Sequence, residues 1–287
     1  MTPERTYATL FDGAYAVKGW LMATSMLGRA SRPSELNVLA LDARAYEVGL
    51  RLVQWAQSRG HAVHVVSLDD LVTVEPSVSL IYTERTWQHF CWSMGSIWTK
   101  WTARQTMRLP ICYLDADLWF FADPEIAWRE AYGCSVAVVP HRFPPQYADR
   151  ITNGKRNVCW VSFHDFDGIN LLIDWAARCA AQCDAATCGD QRYLDAWDVQ
   201  LAVGKLHDFA SKGIIPGPWN AWSYHLSRTE DEVRVNGEVL VAYHFHEFMR
   251  TPDGFRRSRG YPMTPELAAL VYEPYERAYL EAEAALA

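Results

Sequence analysis

The chain has little that would suit it to a bilayer or a polyanion. It has no run of about 18 apolar residues, so no segment is expected to span a membrane. Lys+Arg is 27 against 34 Asp+Glu, a net charge of −7, which withholds the basic face that nucleic acid or an anionic membrane requires. Cysteine is sparse, and seven residues, an odd number, in 287 make no disulfide framework. The opening Met1-Thr2-Pro3-Glu4-Arg5 lacks the apolar stretch of a secretory leader. These absences predict a reduced, cytoplasmic protein with no nucleic-acid partner and no membrane span. Internal repeats, low-complexity tracts and obvious linkers are missing too.

What is present is enough apolar material for a sizeable core. Half of the residues are hydrophobic and 21% are charged, and 287 residues suit one large domain or two small ones. Tryptophan is abundant, with 13 residues, which fits core packing before ligand stacking.

The first half alternates strand and helix patterns. Strands are expected at 6–11, 36–41, 62–68, 111–114 and 135–139. Helical spacing runs through 15–27, through 43–59 with Gly60 as its stop, and through the Trp-rich stretch 86–107. This order predicts an α/β protein with a mostly parallel central sheet covered on both faces. The second half is less regular. A strand is expected at 158–163, helices at 169–181 and 190–197, and a hairpin from 233–235 through Asn236-Gly237 to 239–245. An amphipathic helix from Pro265 is expected to pack on the body.

The most informative segment is ICYLDADLWFFADP, residues 111–124. Asp115 and Asp117 follow an apolar strand, and extended residues two apart point to the same side. Two carboxylates so placed suit a hard divalent cation, Mn²⁺ or Mg²⁺, that is shared with substrate phosphates. They would lie outside the carboxyl ends of the strands, where open α/β sheets bind ligands. A second Asp-x-Asp, Asp165-Phe166-Asp167, precedes a helix and suits an N-cap.

At this point the sequence resembles a family. YLDADLWFF followed by a proline is similar to the metal-binding motif of GT-A glycosyltransferases, especially the family-8-like retaining enzymes and related nucleotide-diphospho-sugar transferases. The resemblance covers most of the chain. It implies a Rossmann-like GT-A fold with a less regular acceptor-side region and a C-terminal helix. It implies one domain over 1–287, divided into a nucleotide-sugar half to about 140, an acceptor and metal-completing half to about 262, and the terminal helix from about 264.

Residue by residue, TYATLFDGAYAVKGW resembles the family's first strand and nucleotide-binding loop, which makes Ala8, Thr9, Asp12 and Tyr15 expected nucleoside contacts. Lys100 matches a basic residue on the helix before the metal motif and would face the diphosphate. Asn157, in NVCWVSF, matches an Asn presented to the sugar, with Cys159 where the family has Gly. Asp190 and Gln191 match the Asp-Gln near the anomeric carbon, and Pro218-Trp219-Asn220 a loop of the acceptor side. Tyr243-His244-Phe245-His246 resembles the strand whose His completes the metal site. Spacing favours His244, and His246 on the same face is the alternative. Arg250, six residues on, matches a diphosphate contact, with Glu247 replacing the family's Gly.

The resemblance implies transfer of a sugar from a nucleoside-diphosphate sugar, with uridine as the default base, to a hydroxyl acceptor, and leaves room for a homo-oligomer. Such a transfer builds positive charge on the sugar and negative charge on the leaving diphosphate. Two other readings compete. A non-catalytic nucleotide-sugar binder would keep the pocket without turnover. A phosphoryl-transfer enzyme would use Asp115 as a nucleophile, but expects a Thr or Val shortly after the second Asp, where Leu118 and an aromatic run stand. Cys179, Cys183 and Cys188 suggest zinc, but no fourth ligand has suitable spacing.

Overall fold

A computed structural model describes residues 3–287. Its centre is a seven-stranded sheet formed by β1 (Arg5–Phe11), β2 (Ser34–Ala40), β3 (Ala62–Ser67), β4 (Ile111–Leu114), β6 (Val136–Pro140), β7 (Arg156–Phe163) and β8 (Leu206–Asp208), in the order β3-β2-β1-β4-β7-β6-β8. β3, β2, β1 and β4 run parallel, and β7 is antiparallel to both of its neighbours. β5 (Leu118–Phe120) lies outside this sheet.

Alternation along the strands builds the two faces. Tyr7 and Phe11 of β1 pack on one side with Met22 and Met26 of α1 (Ala16–Arg29) and with Val48 and Leu52 of α2 (Ala43–Gln57). Ala8 and Leu10 pack on the other side with Phe90, Met94 and Trp98, which belong to α5 (Trp87–Thr106). Between β3 and α5 lie α3 (Leu68–Val74) and α4 (Pro76–Glu84). The short α6 (Glu125–Glu130) precedes β6.

β7 leads into α7 (Phe166–Ala181), whose N-terminus is capped by Asp165 accepting from the Gly168 N–H at 3.0 Å. The expected helix at 190–197 is a 3₁₀ turn, Gln191–Ala196, continued by α8 (Trp197–Gln200). A small sheet of β9 (Leu226–Arg228), β10 (Val233–Val235) and β11 (Glu238–Val239) follows.

The expected hairpin is only partly formed. Asn236 and Gly237 have φ of 50° and 85°, the left-handed pair that a type I′ turn needs, but β11 stops after two residues. The rest of that run becomes β12 (Ala242–His244), which leaves β10 and pairs antiparallel with β5, with His244 opposite Leu118. The reason is burial: Leu240, Val241, Ala242 and Tyr243 are all fully buried, and a two-stranded hairpin cannot cover so continuous an apolar run.

A second hairpin, β13 (Met249–Thr251) with β14 (Gly254–Arg256), precedes the C-terminal helical segment. That segment starts as α9 (Pro265–Leu267) under a Thr264 cap, widens by a π turn over Ala268–Tyr272 and ends as α10 (Glu273–Leu286). It packs on the body as its apolar stripe predicts. Tyr275 stacks on Phe245 with ring centroids 3.7 Å apart, and Tyr272 and Tyr279 complete the aromatic cluster with Phe248.

Candidate metal centre

Three side chains converge beyond the carboxyl end of β4. Asp115 continues that strand, and its N–H donates to the Cys159 carbonyl of β7 at 3.1 Å. Asp117 lies immediately before β5. Antiparallel pairing of β5 with β12 carries His244 alongside, and the Phe245 N–H donates to the Asp117 carbonyl at 2.9 Å. His244 Nε2 lies 3.0 Å from Asp117 Oδ1 and 3.8 Å from Asp115 Oδ2. One donor atom from each residue fits within a 4.8 Å span, and among the described residues this is the one His/Cys/Asp/Glu group that could hold a metal ion.

Burial sets the electrostatics. The Asp115 side chain is 22% exposed and that of Asp117 10%, so the pair is open on the Asp115 side. Burial pushes the Asp115 carboxyl up to about 6, opposed by His244 and reinforced by Asp117. For Asp117, burial is outweighed by His244, and the carboxyl is held below the usual range. Burial disfavours a charged His244 imidazole, but the two carboxylates overcome it and the net shift is upward. Burial at Asp115 and the two carboxylates at His244 thus both favour added positive charge at the triad.

The donor set tests well against a hard dication. Two carboxylates and one imidazole suit Mn²⁺ or Mg²⁺, and they leave coordination positions for water or a ligand's oxygens. His244 Nδ1 is buried without a hydrogen-bond partner. The Asp117 carboxylate accepts from Nε2–H at 3.0 Å, and a cation between them would need that proton to leave so that the Nε2 lone pair faces it.

The residues around the triad form two sides. On the β1 side, Asp12 caps the turn after the strand, accepting from the Tyr15 N–H at 3.0 Å and from Trp87 Nε1 at 2.9 Å. Tyr15 is 41% exposed, and Asp117, burial and Asp115 together push its phenol up. The structure adds Lys18 of α1, which sequence reasoning missed. It is 6% exposed, its Nζ lies 4.1 Å from the Tyr15 ring centroid, and it lies within the field of Asp117. The signal was available: Lys18 is a charge on the same helical stripe as Leu21 and Met22.

Ala8 and Thr9 are fully buried inside the sheet, and the Thr9 hydroxyl donates to the Leu114 carbonyl at 2.8 Å. Neither side chain reaches the cleft surface. Any contact they make with a nucleoside runs through neighbours.

On the β7 side, Asn157, Gln191 and His141 form one network. His141 Nδ1 donates to the Gly154 carbonyl at 2.9 Å, which leaves Nε2 to accept from Asn157 Nδ2 at 3.1 Å. The second Asn157 amide hydrogen goes to Gln191 Oε1 at 3.1 Å, and Asn157 Oδ1 accepts from the Cys159 N–H. Burial brings the His141 imidazole down to about 3, so the ring is neutral. The Trp219 ring makes edge contacts with His141, His244 and His246 at 5.3, 5.4 and 5.9 Å, joining this network to the triad. Asp190 is 5% exposed near Gly95 and Tyr113, and burial pushes its carboxyl well up, with Cys183 and Asp115 adding to the effect.

Two expected diphosphate contacts are not brought to the triad by any bond. Arg250 bonds to the Thr251 and Gly254 carbonyls at 2.6 and 2.9 Å and reaches Glu283 at 3.4 Å. Lys100 sits half-buried on α5 and makes no ion pair among the described residues. His246 contributes no donor to the three-residue group, but its ring lies 5.6 Å from His244. All seven cysteines are free thiols and none joins a metal-holding group.

No protein-family model matches the chain. It is 26% identical to the uncharacterized protein YfnD of Bacillus subtilis (strain 168) over 84% of this chain and 78% of that one. Among solved structures it is similar to mouse xyloside xylosyltransferase 1, with a TM-score of 0.54 at 13% identity over 85% of this chain and 98% of the other. It is similar as well to the galactosyltransferase LgtC, solved with donor and acceptor sugar analogs, with a TM-score of 0.54 at 14% identity over 96% and 95% of the two chains. The seven-stranded, mostly parallel sheet flanked by helices, with an Asp-x-Asp pair beyond β4, is the GT-A glycosyltransferase fold.

Proposed function

We propose that the protein is a metal-dependent glycosyltransferase that moves a sugar from a nucleoside-diphosphate donor, uridine diphosphate by default, to a hydroxyl acceptor with retention. The observation that carries this reading is the convergence of Asp115, Asp117 and His244 at the ligand-binding end of a GT-A sheet. Asp115, Asp117 and His244 would hold Mn²⁺ or Mg²⁺, which when bound supplies positive charge against the leaving diphosphate.

The chain's own groups account for the rest. Asp12 and Tyr15 line the β1 side, where the base and ribose would lie. Lys100 and Arg250 remain the contacts proposed for the diphosphate, which requires Arg250 to release Glu283. Asp190, Gln191 and Asn157 face the sugar. Burial pushes the Asp190 carboxyl well up, and positive charge growing on a sugar of oxocarbenium character would favour its ionised form. Asn157 has both amide hydrogens committed and its oxygen accepting from the Cys159 N–H, so its amide is held in one orientation.

The test is a screen of sugar nucleotides for slow hydrolysis with Mn²⁺, with Mg²⁺ and with chelator. One donor should be hydrolysed with a divalent ion and spared with chelator. Equal hydrolysis in chelator would refute the metal-dependent reading, and absence of turnover despite metal-dependent binding would favour a non-catalytic binder.

A further inference from the structure

Among the described residues, most buried charged side chains are paired, and Asp190 and Lys18 are exceptions. Glu35 meets Arg108 at 2.7 Å, Glu125 meets Arg5 at 2.6 Å, and Arg156 meets Asp208 at 2.6 Å. Lys18 departs from that pattern. It is 6% exposed, yet it makes no ion pair and no hydrogen bond among the described residues, and its ammonium rests on the Tyr15 ring. An unpaired buried ammonium is unfavourable, and a ring face offsets only part of the loss. The ammonium is not sealed in, since it is absent from the fully enclosed polar atoms that lack partners. Burial disfavours the ammonium and Asp117 and Asp12 oppose that effect, and α1 itself packs on β5, the strand that follows Asp117.

Charge bookkeeping gives its direction of action. A dication on Asp115 and Asp117 would balance those two carboxylates. Asp12 is already engaged by the Trp87 indole N–H and the Tyr15 N–H. Asp12 keeps its charge but makes no ion pair with Lys18, so the ammonium still has its N–H donors to give, and the oxygens of an anion would take them. Neither basic residue expected from the sequence is both buried and unpartnered in this way: Arg250 is tied to Glu283, and Lys100 is half-buried on α5.

We propose that Lys18 is a donor-contacting residue whose ammonium meets the diphosphate of a nucleoside diphosphate at the Asp115–Asp117–His244 centre, beside the contacts proposed for Lys100 and Arg250. The inference rests on the sugar-nucleotide reading above, and its test separates the two. UDP, GDP and ADP are titrated calorimetrically into the full chain with saturating Mn²⁺. The nucleotide that binds is then taken to Lys18→Met and Lys18→Gln, alongside Mn²⁺ alone and the parent nucleoside.

Loss of a charge-assisted contact should weaken diphosphate binding by about 10- to 100-fold, leave the nucleoside unaffected and leave Mn²⁺ affinity equal or tighter. Diphosphate affinity within about twofold of the parent protein would overturn the role of Lys18 while leaving the sugar-nucleotide reading intact. Parallel loss of Mn²⁺ binding would overturn it differently, by making Lys18 a support of the metal centre. If the parent protein binds none of the three nucleotides, the sugar-nucleotide reading fails and this inference with it. Should neither variant fold, amine acylation of the unaltered protein with peptide mapping decides. Nucleotide with Mn²⁺ should shield Lys18 where Mn²⁺ alone does not, and equal labelling would overturn the proposal.

Discussion

The chain contains two Asp-x-Asp sequences that lead to opposite outcomes. Asp115 and Asp117 end a buried central strand, and both face a histidine delivered by a strand from the far end of the sequence. Asp165 and Asp167 open a helix. Asp165 accepts from the Gly168 N–H and from the Ser135 hydroxyl, which spends its oxygens on folding. The spacing is the same and the surroundings decide. A carboxylate beside a helix N-terminus finds its donors in the backbone, whereas one beyond a parallel strand has few and is left for a ligand.

Breaking the first pair should have the largest effect. Asp117→Asn is expected to weaken Mn²⁺ binding by about 100-fold or more in calorimetry, while Asp167→Asn leaves it unchanged. Equal effects would erase the distinction between the pairs. Next comes the histidine proposed as the third ligand. His244→Ala should weaken Mn²⁺ binding by roughly 10- to 100-fold, and more than His246→Ala does. The reverse order would transfer the role to His246.

Acidity sharpens the contrast further. Protons compete with metal at the first pair, where Asp115 titrates at about 6 and His244 is shifted upward. Mn²⁺ affinity should fall as pH drops from neutral through about 6. A flat profile from pH 7 to about 5 would contradict the coupled triad. The smallest effect belongs to the second pair. Asp165→Ala removes a helix cap and should cost about 1 kcal/mol in denaturant unfolding, with metal binding untouched.

Much of the sheet could be read from alternation. The β1 to β4 core and its helices follow apolar periods that burial then confirms, as with Tyr7 and Phe11 on one face and Ala8 and Leu10 on the other. α3 escaped because it begins directly at the end of β3, with Ser67 both closing the strand and capping the helix, so that no loop marks the change. β5 escaped because three residues carry no period, and its partner β12 is distant in sequence. The acidic pair was legible locally. The Asn157, His141 and Gln191 network was legible only as separate residues, because hydrogen bonds across β7, the loop before it and a 3₁₀ turn depend on tertiary placement. Lys18 was hidden by its helix, where a charge on an apolar stripe reads as tolerated rather than used.

The pairing of β5 with β12 has a consequence for how the protein is made. A ribosome that has released the first half of the chain has delivered Asp115 and Asp117 but not His244, and the aromatic residues that brace the histidine's strand come later still, in the last helix. The growing polypeptide therefore carries the acidic pair without its histidine for as long as the intervening stretch takes to make, and the three-residue group closes only once β12 has emerged to pair with β5.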